Sequence, residues 1–179
     1  MRTGLLLRDW QESDRAGFAA LNADPAVMRH FPAPLSRAAS DAFLDRIRAH
    51  RVIHGFGIRA VEVDGALAGM CGLAHVPFDA PFTPAVEIGW RFLPAFQGRG
   101  LATEAARLCL AEGFGARGLD RIVAFTSPEN ERSWRLMERL GMHRAGFFGH
   151  PRLPPEHRLH RHVWYSLDRA DWAFPSSEG

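Results

Sequence analysis

Apolar positions along this chain change period several times, and each change marks an element. Leu5-Leu6-Leu7 reads as a short strand. Phe18 and Leu21 form the buried side of a helix that Ser13 would cap and that runs to about Asn22. His30-Phe31-Pro32-Ala33-Pro34 is a loop, because each proline excludes helix at the residue before it. Ser36 opens a second helix, with Phe43, Leu44 and Ile47 at helical spacing. From Gly57 the period becomes that of strands. Ile58 to Val63 and Leu67 to Ala74 flank Asp64-Gly65, a tight-hairpin signal. A proline-rich loop, Pro77 to Pro84, leads to a strand over Val86 to Phe92. A glycine-rich turn follows, then a long helix from about Gly100 to Ala116, ended by Gly118. Arg121 to Phe125 is an apolar strand, and Glu131 to Leu140 a helix stopped by Gly141. Two strands near Ala145 to Gly149 and Arg161 to Leu167 close the pattern.

The predicted order is strand, two helices, three strands, helix, strand, helix, two strands. A hairpin-linked block ahead of a strand–helix–strand crossover calls for a mixed sheet in one α/β domain of the α+β type. That domain spans 1–179, with 169–179 expected as a flexible tail. A doubly wound nucleotide fold would need regular alternation from the start.

Composition narrows the class of function. The chain has 179 residues, 46% hydrophobic and 23% charged, so it can bury a core without disulfides or structural metal. Cys71 and Cys109 have no metal-site spacing. The Leu5–Leu7 run is too short for a signal peptide, and no run is long enough to span a bilayer. The expectation is a soluble cytoplasmic protein. Net charge is +2, with every basic residue an arginine, and the arginines are scattered rather than clustered, which argues against a nucleic-acid partner.

The most informative stretch is Gln97-Gly98-Arg99-Gly100-Leu101-Ala102-Thr103, between a strand and a long helix. Two glycines bring backbone N–H groups close to a ligand, and the helix N-terminus adds unpaired donors and a positive dipole end. Together they suit a pyrophosphate, to which Arg99 adds charge. The bland alternative is a helix that starts after a glycine-rich loop. A dinucleotide site also competes, but Gly98-x-Gly100-x-x-Thr103 lacks the third glycine, and a hairpin stands where the first βαβ unit would begin.

Several motifs, in one order, carry a family resemblance. Glu87-Ile88-Gly89-Trp90 followed by Pro94 to Glu104 resembles the acetyl-CoA signature of the GNAT acetyltransferase superfamily, with Gln97, Gly100 and Ala102 in its Q/R-x-x-G-x-G/A core. Asn130-Glu131-Arg132-Ser133 and Leu140-Gly141-Met142 resemble its second cofactor motif. His150-Pro151-Arg152-Leu153 and His162-Val163-Trp164-Tyr165 resemble the subgroup named for ribosomal-protein N-terminal acetylation. The resemblance implies a mostly antiparallel central sheet, flanked by helices, with a V-shaped splay between two parallel strands. The pantetheine arm of acetyl-CoA would lie in that splay, against the backbone near Trp90 and Phe92. It implies transfer of an acetyl group to an amine acceptor, a small molecule or a protein N-terminus, with a homodimer left open. A CoA-binding sensor without chemistry is the alternative from another class.

Acetyl transfer needs a neutral amine, an oriented thioester and a stabilised oxyanion, the last from N–H groups on the splayed strand. Glu87 is the candidate base, provided that burial raises its pKa; a surface or ion-paired carboxylate is the competing reading. Ser133 is the candidate acid, because Met137 stands where many relatives carry a tyrosine. Its competing reading is a residue that only faces the cofactor. Asn130 is expected to cap its helix and reach the CoA arm. His160 and His162 would share a strand face, but no acid or cysteine pairs with them, so no metal is expected. Trp134, Met137 and Leu140 recur at helical spacing and read as core.

Overall fold

Seven strands hydrogen-bond into one sheet, in the order β1-β2-β3-β4-β5-β7-β6, in the computed structural model, which describes residues 4–173. The strands are β1 (Leu5–Arg8), β2 (Ile58–Val63), β3 (Ala66–His75), β4 (Val86–Phe92), β5 (Arg121–Thr126), β6 (His143–Gly149) and β7 (Arg161–Asp168). The helices are α1 (Arg15–Ala23), α2 (Arg37–His54), α3 (Leu101–Phe114) and α4 (Glu131–Arg139). Every neighbouring pair is antiparallel except β4–β5. The cause is connectivity: a two-residue turn can only reverse a strand, whereas α3 carries the chain back along one face and lays β5 parallel to β4.

Side-chain alternation gives each face of the sheet its own core. On one face Val86, Ile88 and Phe92 of β4 and Ile122 and Ala124 of β5 pack under α3 and α4. The α3 contribution includes Ala105, Ala106 and Cys109, small enough to seat the helix close to the strands. On the other face Ala60 and Met70 meet Phe18 and Leu21 of α1 and Leu44 and Ile47 of α2. Phe18, Leu21 and Leu44 are fully buried, each contributing about 1.5–3 kcal/mol of apolar transfer.

Element ends depart from the sequence pattern where side chains choose partners from afar. Ser13 does not cap α1. A short 3-10 turn, Glu12–Asp14, comes first, and its Asp14 carboxylate accepts the Gln11 N–H at 2.8 Å and the Arg8 guanidinium at 2.7 and 2.9 Å. Ser36 does cap α2, accepting the Ala39 N–H at 3.2 Å. Helix α3 stops at Phe114, with Gly115 donating to Ala111 O, three residues before Gly118. The expected tail begins with packed chain: Arg169–Asp171 form a 3-10 turn, the Arg169 guanidinium donates to Phe114 O at 2.8 and 3.1 Å, and Trp172 lies 5.8 Å from the Phe114 ring. Its remainder, 174–179, lies outside the described residues. Cys71 and Cys109 are buried free thiols whose sulfurs lie 3.7 Å apart, between β3 and α3.

Candidate active site

The two parallel strands pair only at their first residues. Val86 stands against Ile122 and Glu87 against Val123, and there the ladder ends, although β4 continues to Phe92 and β5 to Thr126. Past Glu87 the strands therefore diverge, leaving one edge of β4 without a strand. Leu93 donates its N–H to Ala68 O on β3. Successive strand residues point their backbone groups to opposite sides, so those of Phe92 and Trp90 face the gap, while the Ile88 N–H closes the ladder on β5. Such a row of free donors and acceptors pairs with an extended ligand as a strand would. The Phe92 carbonyl is already held there by Gln97 Nε2 at 2.9 Å.

The gap opens onto the glycine turn. Gly98 and Gly100 sit at φ +74° and +78°, the left-handed region, and a Cβ at either would meet no atom within 4 Å. The turn thus presents bare backbone to open space. Gly100 caps α3 with no side chain to accept its first N–H groups. The first amide with a backbone acceptor is that of Glu104, to Gly100 O at 3.1 Å, so the amides of Leu101, Ala102 and Thr103 form an open N-terminal donor set. The Leu101 side chain itself is buried in the core, which leaves its amide as the part that faces the turn. Arg99 is exposed, its guanidinium 5.7 Å from the Phe96 ring. These features fit a pyrophosphate: fixed donors, a dipole end, one exposed cation and room.

Across the gap, α4 supplies the other wall. Asn130 occupies the N-cap position but makes no side-chain cap bond. Its Nδ2 donates instead to Thr126 Oγ1 at 3.0 Å, tying the start of α4 to the diverging end of β5. The expectation of an Asn130 cap is corrected in that respect, because Thr126 reaches the amide from the strand end. Ser133 is half-buried in the first turn and donates its N–H to Asn130 O at 3.1 Å. Arg132, to which no role attached from sequence, donates to Gln97 Oε1 at 2.9 Å and so bridges the mouth of the gap. Met137 is buried in the core, as is Leu140, while Trp134 is half-buried and donates to Pro128 O at 3.1 Å.

Glu87, Gly89 and Arg91 share the opposite face of β4. Glu87 is half-buried, and burial pushes its carboxyl up to about 7, against the opposing charge of Arg152. A Cβ on Gly89 would meet nothing within 4 Å, so open space lies directly beside Glu87 along the strand. Arg91 closes the far side of that space. Its guanidinium is 4.2 Å from the Phe31 ring centroid and donates to Asn22 Oδ1, while Asn22 Nδ2 donates to Ser40 Oγ at 2.9 Å. Burial lowers the Arg91 pKa to about 10.

Two loops complete this face. Phe78 and Phe82 of the proline-rich loop pack on Phe125 and Phe148, with ring centroids 5.0–6.5 Å apart. Arg152 donates to Pro77 O at 3.3 Å and pins the histidine-rich loop beside them. His150 and His162 join this aromatic wall, 5.0 Å apart, and burial brings the His150 pKa down to about 4. His160 precedes β7 rather than sharing it with His162; its Nδ1 is 2.9 Å from Leu153 O. Two shallow hollows elsewhere, at Phe82, Asp120, Arg121 and Asp168 and at Val76 to Asp79 with Thr83 and Pro84, do not include the splay. Among the described residues, no helix is long and apolar enough to cross a membrane.

A splayed sheet with a glycine turn opening a helix at the end of its fourth strand defines an acetyl-CoA-dependent acetyltransferase fold. The chain belongs to the acetyltransferase (GNAT) domain family, whose pattern it matches over residues 4–143. It is 29% identical over 170 residues to the uncharacterized N-acetyltransferase YnaD of Bacillus subtilis, covering 94% of this chain and 95% of that one. It superposes on a GNAT-family acetyltransferase from Bacillus anthracis with TM-score 0.74 and 27% identity, covering 93% and 95% of the two chains. A spermidine N-acetyltransferase from Vibrio cholerae, solved with CoA and spermine, shares the fold at TM-score 0.75 and 19% identity, covering 94% and 97%. The protein is thus an N-acetyltransferase that uses acetyl-CoA.

Proposed function

We propose that the protein acetylates a primary monoamine, a small molecule or a protein N-terminus, by direct attack in a ternary complex. One observation carries this reading: the β4–β5 ladder ends at Glu87, so a rising carboxylate pKa, an open backbone edge and open space over Gly89 meet at one point. Bound acetyl-CoA supplies an activated acyl thioester. The Gln97 to Thr103 turn holds its pyrophosphate, the β4 edge at Trp90 and Phe92 pairs with its extended arm, and Asn130 lines the same gap. Glu87 takes a proton from the incoming amine, directly or through one water, and a carboxylate with pKa about 7 suits that task at neutral pH. The gap-facing amide of Trp90 donates to the charge that develops on the acyl oxygen. Ser133 donates a hydrogen bond to the departing thiolate, which leaves as the CoA thiolate and takes its proton from water; it needs little help because a thiol is already acidic at about pKa 8.5.

The acceptor class follows from charge. The Vibrio cholerae relative binds spermine, a polycation. Here the space beside Glu87 is bounded by Arg91 and Arg152, whose charge repels a second ammonium group. The aromatic wall of Phe78, Phe125 and Phe148 suits an apolar body instead. This reading carries a cytoplasmic location with it.

Thiol release from acetyl-CoA, measured over monoamines, peptides with free N-termini and polyamines, tests the proposal. Turnover with monoamines or peptides well above that with spermidine is expected, with intersecting double-reciprocal lines. Spermidine as the best acceptor, or parallel lines, would overturn it.

A further inference from the structure

Three histidines converge at the end of the sheet opposite the phosphate turn. His50 and His54 stand one turn apart on α2, and His75 ends β3. Their nearest ligand nitrogens all lie within 4.8 Å of one another, and among the described residues no other group of three such side chains does so. His75 pairs with Val86, the residue before Glu87 on β4, whereas the phosphate turn follows Phe92 at the other end, about 20 Å along the strand.

We infer that His50, His54 and His75 form a binding site for a divalent late-transition metal such as Zn2+, with water completing the coordination. Geometry supports this in three ways. First, His50 Nδ1 lies 3.1 Å from Phe56 O, so that nitrogen carries the proton and Nε2 keeps its lone pair. A ring nitrogen held by a backbone carbonyl is the usual outer support of a metal-ligating histidine. Second, His50 Nε2 is 3.2 Å from His75 Nδ1. Ligands about 2.0–2.1 Å from a tetrahedral zinc stand about 3.4 Å apart, so this pair is already at coordination spacing. Third, His54 is exposed on the last residue of α2, and rotation of its side chain closes the remaining distance.

The surroundings fit the same ion. Phe56 lies 5.4, 6.2 and 5.2 Å from the three rings and walls one side with apolar surface. Three neutral imidazoles with no carboxylate in the group suit zinc, copper or nickel rather than calcium or magnesium. His50 Nε2 also accepts the His75 N–H at 3.1 Å, and a bound metal would take the place of that bond, leaving an exposed amide to water. The ion would clip the end of α2 to the root of the proline-rich loop.

The test uses the full, tag-free chain and Zn2+ alone, by calorimetry against a competing chelator. One equivalent should bind to the wild type, and Co2+ in its place should give the visible spectrum of a low-coordinate imidazole site. His54→Ala and His75→Ala, both surface changes, should each weaken Zn2+ by ~100-fold, as loss of a ligand exceeds loss of an outer partner. Their melting in chelator should match wild type, and His143→Ala should bind as wild type does. Absence of saturable Zn2+ binding, or wild-type affinity in the His54→Ala, His75→Ala double variant, would overturn the site.

Discussion

Glu87 of β4 and Val123 of β5 are the last partners in the parallel ladder, and beyond them the two strands part. That pairing places a carboxylate at the apex of the V, where the backbone edge of β4 first comes free. Its position explains both the chemistry proposed for it and the cost of keeping it there.

The phosphate turn is the most direct place to test cofactor binding. Gly100 has φ +78°, and a side chain there would project into open space above the turn. Gly100→Val should strain the backbone by about 1–2 kcal/mol and leave the core untouched. CoA affinity, measured by calorimetry, should fall at least tenfold in a variant whose circular dichroism is that of wild type. Undiminished affinity in such a folded variant would show that the pyrophosphate binds elsewhere.

Gly89 separates cofactor from acceptor. Its φ is ordinary and its missing side chain would meet nothing, so Gly89→Leu should fold normally and fill the space beside Glu87. The acceptor KM should rise about tenfold or more while CoA affinity stays at the wild-type value. A loss confined to CoA binding would mean that this space belongs to the cofactor.

Much of this arrangement is legible in the sequence, because it rests on local signals. Asp64-Gly65, the proline loop and the glycine turn each fix a junction by backbone conformation alone, so the element order and the mixed sheet follow. What escapes is set by long-range partners. Asn130 caps nothing because Thr126, at the end of β5, captures its amide. Helix α3 ends at Phe114 and is capped by Gly115, not carried on to Gly118, a choice between two glycines that periodicity does not make. The space at Gly89 and the nearness of Arg152 to Glu87 exist only once loops far apart in sequence meet. The cluster of His50 and His54 with His75 escapes likewise, because its third member arrives through a hairpin.

Arg91 gives a prediction about stability. Its guanidinium is buried and donates to Asn22, and among the described residues its Nε has no partner. Asn22→Ala removes that acceptor and the donor to Ser40 together. Leaving buried polar groups unpaired costs about 1–3 kcal/mol each, so urea denaturation should show a loss of at least that size. A neutral effect would mean that Arg91 reaches water.

The Glu87 carboxyl makes function and stability move in opposite directions with pH. Burial raises its pKa from 4.5 to about 7, so the folded state holds a proton that the unfolded chain releases. The folded protein gains from this below pH 4.5, and the gain is lost as pH rises through about 7. Glu87→Gln removes the titration. The variant should therefore be less sensitive than wild type to a pH increase over that window, and comparatively more stable at pH 8 in denaturant titrations. Its kcat near pH 7 should nonetheless fall by about 10²–10⁴, the range of general acid–base assistance, and recover in part at high pH as free amine forms in solution. Wild-type kcat should rise with an apparent pKa near 7 as the carboxylate ionises. Ser133→Ala should be milder and act more on cofactor affinity, because a thiolate leaves almost unaided. The measurement is kcat and KM against pH for both variants, beside their unfolding curves. A Glu87→Gln enzyme that keeps wild-type rates across the range would pass the proton to water or to the substrate's own ionisation, while a stability difference would still mark Glu87 as an acid whose pKa its surroundings raise.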